Sequence, residues 1–192
     1  MTGVFLAIEG IDGSGKTTVA KHIHDFLTER GIEVILTQEP TKGPIGDVIR
    51  KSLGKLELHP YQRALLFAAD RHGHVTDVVM PALQEGKWVV TDRYLYSSLA
   101  YQGAEGVDMA FLRFINGFAP DADAVIHLEV PPDIGVSRLK NHDRFEDTEF
   151  LRKVKAVFEE ILPRNTVTID AGKPIETVLG KAEEVVLEML ED

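Results

Sequence analysis

The sequence predicts an α/β fold of the doubly wound type, on three observations. Short apolar runs typical of buried parallel strands recur along the chain. Helix-like segments with a 3.6-residue apolar period alternate with them. A glycine-rich turn separates the first such run from the first such helix, the place where open α/β sheets bind ligands.

In chain order, Val4, Phe5, Leu6, Ala7 and Ile8 form an uninterrupted apolar run halted at Gly10, as expected of a strand covered on both faces. From Lys16, the residues Val19, Ala20, Ile23, Phe26 and Leu27 recur at helical spacing until Gly31, a C-terminal stop. A second strand is predicted over Glu33–Gln38, and further strands over Trp88–Thr91, Ala124–Glu129 and Val167–Ile169. Helices are predicted over Pro44–Leu53, Tyr61–Leu83, Met109–Phe118 and Phe150–Leu162. The last segment places Ile175, Val178, Leu179, Ala182, Val185, Val186, Met189 and Leu190 on one face, with Glu183, Glu184 and Glu188 off it. It reads as an amphipathic helix packed on the sheet. No repeat or low-complexity linker interrupts the 192 residues, which suit one domain spanning 1–192. The stretch from Ser137 to Glu149, dense in charge, reads either as a solvated surface turn or as a lid over a phosphate site.

A formal net charge of -10 argues against a protein devoted to a nucleic-acid backbone. No apolar run approaches the roughly 20 residues that span a bilayer, and Met1–Leu6 carries no secretory signature, so a cytoplasmic location is expected. With no cysteine, disulfides, thiolate metal sites and thiol nucleophiles are excluded. His22 and His24, like His72 and His74, stand two apart in helical stretches and share no face for a metal.

The segment Gly10-Ile11-Asp12-Gly13-Ser14-Gly15-Lys16-Thr17, followed by Thr18, fits G-x-x-x-x-G-K-[ST] between a strand and a helix. Its glycines let backbone N–H groups converge on phosphate oxygens, and the positive end of the following helix adds to that field. Lys16 can reach the β and γ oxygens, and the Thr17 hydroxyl is placed to ligate Mg²⁺. An Asn-Lys-x-Asp guanine-reading pattern is missing from the sequence, which counts against a GTPase. The strand ending at Thr91 delivers Asp92 and Arg93 to the carboxyl edge of the sheet. Asp92 can hold Mg²⁺ through water and Arg93 can clamp a phosphate; the alternative is a simple ion pair at a strand end.

Taken together, Glu9–Thr18, Thr37-Gln38-Glu39-Pro40, Leu66–Arg71 and Thr91–Gly103 resemble the thymidylate kinase family, with order and spacing matching from Gly3 to about Glu149. The resemblance implies a P-loop NTPase fold, a five-stranded parallel sheet flanked by helices on both faces in three layers. It implies the reaction of MgATP with dTMP to give MgADP and dTDP, and a homodimer. Phe67 would stack on thymine and Arg71 would bond its carbonyl edge; the two stand four apart on one helix face, as one pocket requires. Ser97, Ser98 and Gln102 would contact the base or shape its pocket, and Tyr101 would disfavour a 2′-hydroxyl. Asp12 would take the acceptor's 3′-hydroxyl, with Glu39 in the same substrate site. Arg50 would join Arg93 on the acceptor phosphate, unless it is an exposed helical arginine.

Some family members carry an arginine beside the residue matching Asp12; here that neighbour is Gly13. Members of the glycine type supply arginines from the lid, which implies that Arg138 and Arg144 compensate charge at the transition state alongside Lys16, Arg93 and Mg²⁺, with Asp92 serving catalysis by holding the Mg²⁺. Two further departures are Gln38, where many relatives have arginine, and Thr41-Lys42 in place of Gly-Gly. The other readings to weigh are a kinase for a different monophosphate or a deoxynucleoside, and a nucleotide-binding regulator without transfer.

Overall fold

The computed structural model describes residues 3–54, 56–139 and 147–191. Five strands form one parallel sheet: β1 (Phe5–Gly10), β2 (Val34–Gln38), β3 (Trp88–Asp92), β4 (Ala124–Glu129) and β5 (Thr166–Asp170), in the order β2-β3-β1-β4-β5. The strands of the sequence reading are all present, shifted by a residue or two at their ends. The order in which strands are added reverses at β1: its neighbours are β3 on one side and β4 on the other, with Ile8 beside both Asp92 and Ile126. This is the topological switch point, and it opens a crevice at the carboxyl ends of β1, β3 and β4.

Side-chain alternation along the strands divides the core. Leu6, Ile8, Val90, Ile126 and Leu128 cluster with Val19, Ile23 and Leu27 of α1 (Lys16–Glu29) and with Val178, Ala182 and Val186 of α9 (Ile175–Glu191). Phe5, Ala7, Val89 and Val125 meet Val75, Val79, Ala82 and Tyr94. All six residues of β1 are buried, as a strand covered on both faces requires. β2 and β5, at the edges, are only partly covered. Gly31 adopts φ 75° just beyond α1, its N–H bonding Thr28 O at 2.9 Å, and ends the helix where the sequence placed the stop.

The segment read as one long helix over Tyr61–Leu83 is α3 (Pro60–His74), a π-helical turn (Val75–Val79) and α4 (Met80–Gln84). Pro81 has no N–H to give, and it falls just where α-helical bonding resumes. α2 (Pro44–Gly54) and α8 (Thr148–Ile161) match the reading to within two residues, and α6 (Met109–Ile115) stops three residues before Phe118, where it was expected to end. Two helices were not anticipated: α5 (Leu95–Ala104) and the short α7 (Pro132–Ser137). α5 escaped because Ser97, Ser98 and Gln102 are buried on it beside Leu99 and Ala100, so its inward face does not read as apolar.

Candidate active site

The loop after β1 carries the first part of the site. Gly13 and Gly15 have φ of 75° and 96°, a left-handed backbone that favours glycine. A Cβ on Gly13 would sit 2.0 Å from the carbonyl oxygen of Gly135, so the loop and α7 meet backbone to backbone. Lys16 opens α1 and is buried, its Nζ donating to Ile11 O at 2.7 Å. Burial, and then the nearby Arg93 cation, bring its pKa down to about 8 despite the pull of Asp12 and Asp92. Gly13 to Val19 line a cleft of about 740 Å³, whose far wall comes from Arg138, Leu139, Ala171, Lys173, Ile175 and Val178. Arg138 is fixed there by the carbonyls of Ala171 (3.0 Å) and Gly13 (3.4 Å).

On the same cleft, Thr17 Oγ1 donates to Asp92 Oδ2 at 2.5 Å, while Asp92 Oδ1 is buried with no hydrogen-bond partner. A half-satisfied carboxylate beside a hydroxyl fits Mg²⁺, which keeps most of its ligands as water and substrate phosphate. Among the described residues no group of three or more His, Asp or Glu gathers as a closed metal cage.

Arg93 lies between this cleft and a second, smaller cavity of about 150 Å³. It adopts φ 70°, uncommon for a residue with a side chain, and its backbone is pinned by N–H to Ile8 O (2.9 Å) and by Thr91 Oγ1 to its own carbonyl (2.8 Å). Its guanidinium pairs with Asp12 Oδ1 and reaches Ser97 Oγ at 3.2 Å. Burial works against the Asp12 carboxylate, but Arg93 and Lys16 outweigh it and hold its pKa down. Tyr101 donates to Asp12 Oδ2 at 2.7 Å and accepts from the Asp12 N–H at 2.9 Å; burial and the Asp12 charge push its phenol well above the usual range. Glu9 is fully buried beneath these groups, accepting from the Ser97 hydroxyl and from the Tyr94 N–H at 3.1 Å; burial raises its pKa. Ser97 is thereby committed to Glu9 and Arg93.

The smaller cavity is lined by Phe67 and Arg71 from α3, by Ser97, Ser98, Tyr101 and Gln102 from α5, and by Glu39, Pro40 and Leu53. Asp12, Glu39, Pro40 and Arg93 line both cavities. Arg71 is 1% exposed, yet NH1 donates to Asn116 Oδ1 (2.6 Å) and NH2 to Glu39 Oε2 (2.6 Å), Ser98 Oγ (2.6 Å) and Tyr94 O (3.2 Å). Its Nε has no partner, and neither has the buried Oε1 of Gln102. One unmatched donor and one unmatched acceptor thus belong to residues of the same cavity wall.

The model of the family described as thymidylate kinase matches residues 8–181. A "Thymidylate kinase" of Xanthomonas oryzae pv. oryzae (strain PXO99A) is 37% identical over 196 aligned positions, covering 99% of this chain and 86% of that protein. A "Probable thymidylate kinase" of Caldivirga maquilingensis is 41% identical, covering 98% of this chain and 94% of its own. That of Pyrococcus horikoshii is 46% identical over 146 positions, 73% of this chain and 71% of its own. The chain belongs to the thymidylate kinase family.

Within this thymidylate kinase family member the departures noted in the sequence have physical counterparts. Gly13 has no room for a side chain while α7 stands where it does. Thr41, in place of glycine, is anchored by Asp70: its N–H and its hydroxyl each reach the carboxylate at 2.7 Å. Gln38 lines the P-loop cleft. Arg50 lines neither cavity; it bonds the carbonyls of Thr41 (2.7 Å) and Pro40 (3.2 Å) and pairs with Asp47 (2.6 Å). Arg144 falls outside the described residues. Residues that sequence reasoning missed are Glu9, His74 and Asn116, which brace the site, and the buried pair Arg63–Glu105 on the smaller cavity. Arg63, Phe67 and Arg71 follow at i, i+4 and i+8, a stripe that could have flagged Arg63.

Proposed function

We propose that this protein transfers the γ-phosphoryl group of ATP to dTMP, giving ADP and dTDP. The carrying observation is the unmatched pair in the cavity that adjoins the P-loop cleft. Arg71 Nε is a donor in want of an acceptor and Gln102 Oε1 an acceptor in want of a donor. Thymine offers a 4-carbonyl and an N3–H side by side, whereas cytosine presents an amino group and a bare ring nitrogen, the reverse pattern. Phe67 supplies an apolar ring face to the same cavity. Tyr101, bonded twice to Asp12, would sit against the sugar and disfavour a 2′-hydroxyl, with Asp12 taking the 3′-hydroxyl.

Transfer needs alignment and charge compensation rather than covalent help. Gly10 to Thr18 and Lys16 would cradle the donor phosphates. Arg93 borders both cavities and is the residue suited to hold the acceptor phosphate in line. Thr17 and Asp92 would hold Mg²⁺, which supplies charge neutralisation at the donor phosphates. Arg138 and Leu139, on the cleft wall, support reading 137–149 as the lid of a single kinase domain; the role of Arg144 there rests on the sequence. Arg50 would join Arg93 only by releasing its present bonds. We further propose a homodimer, supported by exposed Leu65 of α3, Met80 of α4, Phe114 of α6 and Phe118 in the turn after α6, and a cytoplasmic location, consistent with no described helix being long and apolar enough to cross a membrane.

The test is ADP formation from MgATP with dTMP, dUMP, dCMP, dGMP and AMP offered separately. Strong turnover with dTMP, weaker with dUMP and negligible with the rest is expected. Preference for another acceptor would replace the base assignment, and ATP binding without acceptor-stimulated ADP release would favour a regulator.

A further inference from the structure

Behind Arg71 lies a buried chain of polar groups with no place in the transfer itself. The Glu39 carboxylate is 4% exposed and accepts from Arg71 NH2 on one oxygen (2.6 Å) and from His74 Nδ1 on the other (2.9 Å). The His74 side chain is wholly buried, and its Nε2 meets the hydroxyl of Thr37 at 2.8 Å. A carboxylate facing a guanidinium can only accept, so Nδ1 must carry the proton toward Glu39. That leaves Nε2 to be fixed by Thr37, which stands on β2, one residue from Gln38 and two from Glu39. Both ends of the chain are therefore rigid: β2 at Thr37 and α3, which carries Arg71 and His74 one turn apart.

We propose that His74 is a positioning residue for recognition of the acceptor base, holding Glu39 in the rotamer that aims Arg71, with Thr37 holding His74. Each Glu39 oxygen already accepts one hydrogen bond, from Arg71 and from His74, and on this proposal its part in the substrate site is to orient Arg71. Were His74 not to occupy Oε1, the carboxylate could rotate away from NH2, and the guanidinium would be left to Asn116, Ser98 and the Tyr94 carbonyl. Nε would then no longer be held in one place. His74 and Thr37 line neither cavity, and Glu39, which borders both, is bonded to Arg71 of the smaller one, so loss of His74 should weaken the acceptor and spare ATP.

The proposal rests on the dTMP reading. His74→Asn keeps an N–H near the place of Nδ1, whereas His74→Leu has nearly the same shape as Asn and no donor. Thr37→Val removes only the hydroxyl that fixes Nε2. The expected result is a KM for dTMP raised about tenfold in His74→Leu, raised less in Thr37→Val, and near native in His74→Asn, with the KM for ATP unchanged in all three. Equal KM for dTMP in the native protein and His74→Leu would overturn the proposal, as would a matching rise for ATP and dTMP, which marks general damage to the fold. If His74→Leu does not fold, Thr37→Val decides by the same split. A native protein that turns over another monophosphate but not dTMP overturns both readings, whereas variants indistinguishable from an active native protein overturn the anchor alone.

Discussion

Replacing Lys16 by Met should abolish turnover and yet make the unliganded protein more stable. Lys16 is 6% exposed and titrates near 8 instead of 10.5, chiefly because burial penalises its cation and secondly because Arg93 lies close. A displacement of that size means that the folded state disfavours the ammonium by about 3 kcal/mol. Met has a similar unbranched stem and no charge, but it gives up the bond to Ile11 O and the attraction to Asp12 and Asp92. A net gain of about 1–3 kcal/mol is therefore expected, and for a chain of this length each kcal/mol raises Tm by about 2–4 °C. The pH dependence has a definite sign. The folded pKa lies below the unfolded one, so the penalty is complete below pH 8. Between about 8 and 10.5 the unfolded chain holds the extra proton, native stability rises relative to the variant, and the gap closes. Thermal unfolding of both proteins at pH 7 and at pH 9.5, each with and without MgATP, measures all of this. The ATP-induced shift seen in the native protein should be absent from Lys16→Met. A variant that unfolds below the native protein at pH 7 would refute the reasoning, because Lys16 would then be a structural ion-pair partner.

Asp92→Asn keeps an acceptor for the Thr17 hydroxyl but loses the charge; the Mg²⁺ concentration for half-maximal rate should rise about tenfold, while the KM for dTMP stays within about twofold. Gly135→Ala would put a Cβ 2.7 Å from Asp12 O, forcing α7 and the phosphate loop apart. It should lower both Tm and kcat/KM for ATP, and the companion change Gly180→Ala, on α9 with nothing within 4 Å, should stabilise by about 0.5–1 kcal/mol without touching the kinetics.

What the sequence made legible follows the range of the interactions involved. β1, the phosphate loop and α1 are adjacent in the chain, and their pattern is local: an apolar run, fixed glycines, then helical spacing. Phe67 and Arg71 were legible as a pair because one helix turn puts them side by side. Glu9, by contrast, meets Ser97 across 88 positions, and Arg63 meets Glu105 across 42. No local pattern encodes such pairings; they exist only once β1 and β3 lie together and α3 packs on α5. Ser97 illustrates the consequence, since its position beside the site was legible but its commitment to Glu9 and Arg93 was not. α7 was missed for a different reason: six residues, with a proline at its first turn and a glycine within, show no period to read.

Four buried side-chain atoms among the described residues lack a hydrogen-bond partner, and three of them, Arg71 Nε, Asp92 Oδ1 and Gln102 Oε1, belong to residues lining the two cavities. Native interiors leave few such groups unmet, because each costs roughly 1–3 kcal/mol. Their concentration here fits a fold that leaves valences open where substrates arrive. Gln102 allows the idea to be tested by opposing effects. Gln102→Leu retains the volume and removes the unmet acceptor, so the unliganded protein should gain about 1 kcal/mol in stability. If Gln102 meets the thymine N3–H as proposed, the same change also removes that partner, and the KM for dTMP should rise about tenfold at constant KM for ATP. A residue serving packing alone would move stability and acceptor affinity in the same direction. Denaturant unfolding and steady-state kinetics on one preparation separate the cases, and a Gln102→Leu protein less stable than the native one would assign Gln102 to the core instead of the base.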